Sequence, residues 1–167
     1  MNHTFVDAVR LTGGNNAERI LIASGFNTNI DRTTSWRFRM PTDTVENKLM
    51  VSVHYIDNAI YWQNQIGGEY WYNYAKSQCD LLKTAFTDKG IPVFVGETTA
   101  NYAGRMVGDS KYGSSEDCIE ELMKMAKSEY GFIPVFWDTH GTESFYDRTT
   151  CSIRLSQNAK TVKKYGK

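Results

Sequence analysis

Four short apolar runs, Arg19–Ala23, Leu49–Val53, Pro92–Val95 and Ile133–Trp137, are nearly continuous rather than alternating. A strand reads this way when both of its faces are covered, as in a parallel sheet. Helical periodicity fills the intervals. Asn2–Thr12 carries Phe5, Val6 and Val9 on one side and stops at Gly13-Gly14. Tyr70–Lys89 sets Trp71, Ala75, Gln78, Cys79, Leu82 and Phe86 at three- and four-residue steps and stops at Gly90. Ser115–Tyr130 puts Ile119, Leu122, Met123 and Ala126 on one face, behind the capping-box type of start Ser114-Ser115-Glu116-Asp117. A weaker final pattern, Ser152–Tyr165, ends at Gly166.

The resulting order, α-β-(loop)-β-α-β-α-β-α, predicts an α/β fold with parallel strands and right-handed crossovers. Two architectures fit: a small open doubly wound sheet, or part of a (β/α)8 barrel, which when complete needs about 250 residues and eight strands. The chain has 167 residues and reads as a single domain over 1–167. Lys and Arg total 19 and Asp and Glu total 19, with no basic run, which argues against nucleic acid and anionic membranes as partners. No apolar run approaches the roughly 20 residues of a membrane span. The start of the chain lacks the pattern of a signal peptide. Cys79, Cys118 and Cys151 form no C-x-x-C pair, so they read as idle thiols rather than zinc ligands. Gly13-Gly14-Asn15-Asn16 follows a helix, not a strand, so it is a turn and not a phosphate loop.

In parallel α/β folds the chemistry gathers at the carboxyl ends of the strands. Here those ends read Ser24-Gly25-Phe26-Asn27-Thr28-Asn29, His54-Tyr55, Gly96-Glu97-Thr98 and Trp137-Asp138-Thr139-His140. Glu97 lies at the mouth of a buried apolar strand, and Gly96 beside it leaves room for a ligand. Glu97 is either a reacting carboxylate or the partner of an arginine such as Arg105 or Arg19. His54 is either a satisfied strand-end histidine or a donor to a substrate hydroxyl or to Glu97. Trp137 is either rim core or a stacking floor for a sugar ring. Trp36, Trp62, Tyr61, Trp71 and Tyr72 fall in or near loops, where they either pack against the fold or bind a ligand face.

The segments Phe5–Asn16, Arg19-Ile20-Leu21, Gly25-Phe26-Asn27-Thr28-Asn29, Met40-Pro41-Thr42-Asp43, Leu49–Tyr55, Gly90–Glu97 and Pro134–Asp138, in this order, resemble glycoside hydrolase family 5, most of all its rumen-type endoglucanases. The resemblance implies the carboxyl-terminal half of a (β/α)8 barrel, units five to eight, from an enzyme that hydrolyses β-1,4-glucan with retention. It implies Glu97 as nucleophile, His54 as substrate-binding histidine and Trp137 as stacking platform, with Tyr55, Asn27 and Trp62 completing the substrate site. It implies no metal and no organic cofactor, since paired carboxyls do the chemistry. It also implies an extracellular parent acting on polysaccharide.

Two departures stand out. The family's acid/base glutamate would precede Met1, whereas a retaining mechanism needs two carboxyls about 5–5.5 Å apart. The family's usual His-x-Tyr reads His54-Tyr55-Ile56 here, so strand alternation would turn Tyr55 away from the site. Half a barrel also leaves open edges and a bare inner face. These would be closed by a second copy, as a homodimer, or by the missing amino-terminal half. A second carboxyl would come from that partner, or from Asp138 or Glu143. The alternative is an inactive half-barrel that folds, self-associates and at most binds β-glucan.

Overall fold

The structure is a computed structural model that describes residues 2–99, 101–138 and 145–166. Its centre is a parallel sheet in the order β1 (Leu21–Ser24), β2 (Leu49–His54), β3 (Val93–Thr99) and β4 (Ile133–Trp137). Sequence order equals spatial order, as expected of successive βα units in a barrel wall. A helix α1 (Asn2–Leu11) leads into β1, and a short helix α2 (Ile30–Thr33) follows it. Beyond β2 come α3 (Asn58–Tyr61) and the long helix α4 (Glu69–Ala85). Helix α5 (Ser115–Lys124) runs into a π-helical turn at Met125–Glu129 and joins β3 to β4.

The amphipathic patterns work as read. Trp71, Ala75, Cys79 and Leu82 of α4, and Cys118, Ile119, Leu122 and Met123 of α5, are buried in one core with Val51, Val53, Val93 and Val95. Ser114 caps α5, its hydroxyl accepting from the Asp117 amide at 3.1 Å. The first helix is the exception. Only Val6 is buried there, and Phe5 remains 47% exposed. The last pattern also divides. Its first two residues form strand β6 (Ser152–Ile153), paired in a hairpin with the preceding β5 (Tyr146–Asp147), and the helix α6 begins only at Ser156 and runs to Tyr165.

The helices cover one face of the sheet. Ile22, Ile133 and Trp137 stand on the other, all substantially exposed, with Met50, Phe94 and Val135 half-buried among them. The continuous apolar runs predicted strands covered on both faces, yet among the described residues only one face is covered. The apolar residues of the bare face suit the interior of a closed barrel, which alternate residues of every strand would fill.

A single bulge sets the site. Val53 pairs with Val95 but His54 pairs with Glu97. On the other side Val95 pairs with Pro134 but Thr98 with Phe136. Both ladders therefore place one extra residue in β3 at Gly96-Glu97. Val93, Val95 and Thr98 face the helices and are buried. Without the extra residue, strict alternation would send Glu97 to that same side. The bulge turns it to the open face instead.

Candidate active site

Glu97 and His54 leave adjacent strands side by side. His54 Nδ1 lies 3.2 Å from Glu97 Oε1, and both side chains are roughly three-quarters buried. The carboxyl's neighbour is thus a histidine and neither arginine considered from the sequence. Arg19 bonds Asn16, and Arg105 stacks on Tyr61. The space beside Gly96 is also already taken. A Cβ there would stand 3.1 Å from His54 Nε2 and 3.2 Å from Phe94 Cε1. Gly96 makes room for the imidazole, not for a ligand.

Tyr55 corrects a second expectation. Its amide still bonds the Glu97 carbonyl, at 2.9 Å. Its φ is +47°, however, so the extended alternation stops at this residue. The phenol stays within electrostatic reach of the Glu97 side chain instead of turning away. Burial first, and then the neighbouring carboxylate, push its ionisation well above the ordinary tyrosine range. A left-handed backbone is costly for a bulky residue, and such strain gathers at functional sites. Ile56, one place further on, is buried in the core.

Beneath this turn lies a buried carboxyl. Asp57 accepts from Trp71 Nε1 at 2.8 Å and from the Tyr102 hydroxyl at 2.7 Å. Burial raises its pKa, with the two donors opposing the shift. The trio ties the residue just past Tyr55 and Ile56 to α4 and to the segment after β3.

His54 and Tyr55 line a cleft of about 320 Å³ together with Asn27, Arg32, Asn58 and Tyr74. Asn27, at the end of β1, has a left-handed conformation with φ +56°. Trp62 stands at the rim, 68% exposed, its indole N–H donating to Asn58 Oδ1 at 3.2 Å. Arg105 lies over its ring at 5.1 Å. Trp137 pairs with Thr99, on the open face to which the bulge also turns Glu97.

Asp138 is engaged elsewhere, accepting from the amides of Phe145 and Tyr146 at 2.8 and 3.1 Å and so anchoring the hairpin. His140 and Glu143 lie outside the described residues. Among the described residues no group of three or more His, Cys, Asp or Glu is placed to share a metal ion, and no helix is long and apolar enough to cross a membrane. Sequence reasoning missed Arg32, Asn58, Tyr74 and Gln78 as cleft residues. Gln78 had left a trace, as a polar residue on the apolar face of a helix. It bonds Asp31 Oδ1 at 3.2 Å while also lining the cleft.

A run of parallel βα units with a carboxylate, a histidine and a tryptophan at successive strand ends is part of a (β/α)8 barrel of the glycosidase kind. The chain belongs to glycosyl hydrolase family 5, whose cellulase model matches residues 1–143. It is 29% identical to the xyloglucan-specific endo-β-1,4-glucanase of Bacteroides ovatus, over 89% of this chain and 33% of that protein. It is 31% identical to endoglucanase A of Paenibacillus barcinonensis, over 82% of this chain and 40% of that protein. Among solved structures, a broad-specificity endoglucanase from an uncultured bovine rumen ciliate superposes with a TM-score of 0.78 at 29% identity, covering 96% of this chain and 51% of its own. The chain thus spans a third to a half of the length of these three relatives.

Proposed function

We propose that this chain is the nucleophile-bearing half of a retaining endo-β-1,4-glucanase. Glu97 attacks the anomeric carbon, and an acid/base carboxyl about 5–5.5 Å away is supplied by the rest of the barrel. The observation that carries this is the position of Glu97 at a bulged strand end, with His54 Nδ1 3.2 Å from its carboxylate and the Tyr55 phenol within electrostatic reach. Both groups orient Glu97 for the attack. Asn27, Trp62 and Trp137 bind the glucan, Trp137 as the floor beneath a sugar ring. The relatives' names, endoglucanase and xyloglucan-specific endo-β-1,4-glucanase, suggest a β-glucan as substrate. A polymer of that size places the parent outside the cell.

An activated 2-deoxy-2-fluoro-cellobioside tests the assignment, because its leaving group departs without an acid catalyst. We expect a slow stoichiometric adduct on the peptide containing Glu97, absent from Glu97→Gln. An adduct on another carboxylate would overturn the reading.

The bare sheet face favours a second reading beside the first. A half-barrel with Ile22 and Ile133 exposed on its inner face, and with β1 and β4 as edges, suits pairing with a second copy. That homodimer would bring two Glu97 side chains into one barrel, or would simply hold β-glucan without cleaving it.

A further inference from the structure

Arg105 follows β3 and reaches back over the connection that leaves β2. Its guanidinium carbon lies 4.1 Å from the ring centre of Tyr61 and 5.1 Å from that of Trp62. Its Nη1 donates to Asn64 Oδ1 at 3.1 Å and to the Tyr61 carbonyl at 3.4 Å. Among the described residues no carboxylate pairs with this arginine. Its charge is directed at two aromatic rings instead.

The base of this side chain is fixed. The Arg105 amide donates to the Tyr102 carbonyl at 3.0 Å, and the Arg105 carbonyl accepts from the Ile66 amide at 3.0 Å. The Val107 amide donates to the Ile66 carbonyl, so Ile66 and Met106 form a short parallel bridge between the two connections. Tyr102 is fully buried and bonds Asp57, the residue just before α3. Arg105 therefore stands between two anchors to the connection it covers.

Trp62 adds little to the core, being 68% exposed, yet its ring is held on several sides. Arg105 lies over it, Tyr61 meets it edge-on at 5.2 Å and 89°, and Asn58 Oδ1 accepts from its N–H at 3.2 Å. Ordering a side chain costs entropy, and a ring already ordered before binding avoids that cost when a ligand arrives.

We propose that Arg105 is a positioning residue, which holds the Trp62 indole in one orientation for stacking on a glucopyranose ring. The indole meets the apolar C–H face of the sugar. Arg105 acts through the ring and not on the sugar. The inference rests on the glucanase reading and adds a residue by which the connection after β3 sets the affinity of the connection after β2.

NMR and calorimetry on the wild-type chain, Arg105→Ala, Trp62→Ala and the double variant test it. The Trp62 indole N–H signal is assigned by its loss in Trp62→Ala. Its 15N heteronuclear NOE should fall in Arg105→Ala, while the backbone amides of residues 58–66 keep theirs. Affinity for cellotetraose should fall about two- to fivefold in Arg105→Ala, the worth of an exposed cation–π contact. It should fall no further when Arg105→Ala is added to Trp62→Ala. An indole as rigid in Arg105→Ala as in the wild type would overturn the proposal and leave the glucanase reading standing. Loosened backbone amides would also overturn it, since Arg105 would then hold the loop and not the ring. So would a further loss of affinity in the double variant, which would put Arg105 on the sugar itself. A wild-type chain that binds no cellotetraose would overturn both readings.

Discussion

The imidazole of His54 lies over Gly96, and a methyl group at position 96 would stand 3.1 Å from Nε2 and 3.2 Å from Cδ2. That contact is tighter than ordinary packing tolerates, so Gly96→Ala must push the ring aside by a few tenths of an ångström. The same ring reaches Glu97 at 3.2 Å through its other nitrogen. We predict that Gly96→Ala slows adduct formation on Glu97 about tenfold, because misplacing an orienting group by fractions of an ångström is costly in rate. The accompanying loss of stability should be about 1 kcal/mol, the low end of overpacking. A variant that labels at the wild-type rate would show that the imidazole does not orient the carboxylate.

Tyr55→Phe removes the hydroxyl beside Glu97 and leaves the ring in place. Labelling should slow by about 10- to 100-fold, the scale of losing one aimed donor at a charged centre. The phenol also reports on its neighbour. Its ionisation is raised by burial first and by the Glu97 carboxylate second. Replacing Glu97 with Gln removes the second cause, so the Tyr55 pKa should fall towards the ordinary value near 10 without reaching it. A titration of 13C-labelled tyrosine followed by NMR, with Tyr55→Phe to assign the signal, measures this. An unchanged Tyr55 titration would mean that the two groups are not in contact.

Asp57 governs a different pH range. Its carboxyl is buried against two neutral donors, Trp71 and Tyr102, and desolvation raises its pKa above the ordinary aspartate value of 3.8. The folded chain therefore holds this proton at pH values where the unfolded chain has released it. By linkage, the stability contributed is fully present below the unfolded pKa and declines as pH rises from about 4 through the folded value. Asp57→Asn cannot release that proton, so its unfolding free energy should lack this decline when urea melts are compared across pH. Parallel profiles for the two proteins would place the charge elsewhere. Because the trio anchors the turn that carries Tyr55, Asp57→Ala should also slow labelling, whereas Asp57→Asn should do so only slightly.

The strands and helices were legible because burial writes its period into the chain. Ile133–Trp137 matches the observed strand residue for residue, and the α4 stripe of Trp71, Ala75, Cys79 and Leu82 is the core face. The candidate residues at the strand ends were legible too, since parallel topology fixes where such ends collect. What the sequence did not reveal was backbone irregularity. The bulge at Gly96-Glu97 and the left-handed Tyr55 each break the two-residue alternation, and so each reverses the face that pattern reasoning assigns. Strand alternation would turn Tyr55 away from the site only if the strand stayed regular, and at Tyr55 it does not. The double-sided cover of the strands was misread for another reason. The apolar inner face records the closed barrel, and this chain contains only four of its strands.

That inner face gives the last prediction. Ile22 is 42% and Ile133 39% exposed, on the two edge strands and on the same side of the sheet. Apolar surface gathered beside two unpaired strand edges is an association site. At tens of micromolar the isolated chain should sediment as a dimer. Ile22→Lys should shift it towards monomer, because a lysine in the closed interior would have no solvent and no partner charge. Ile153 serves as the control. It is 51% exposed on the separate hairpin, and Ile153→Lys should leave the mass unchanged. A wild-type chain that sediments as a monomer at this concentration would rule out closure by a second copy and leave the missing half of the barrel as the natural cover. A dimer that survives Ile22→Lys would place the contact elsewhere on the molecule, and the two Glu97 carboxylates would then have no reason to meet.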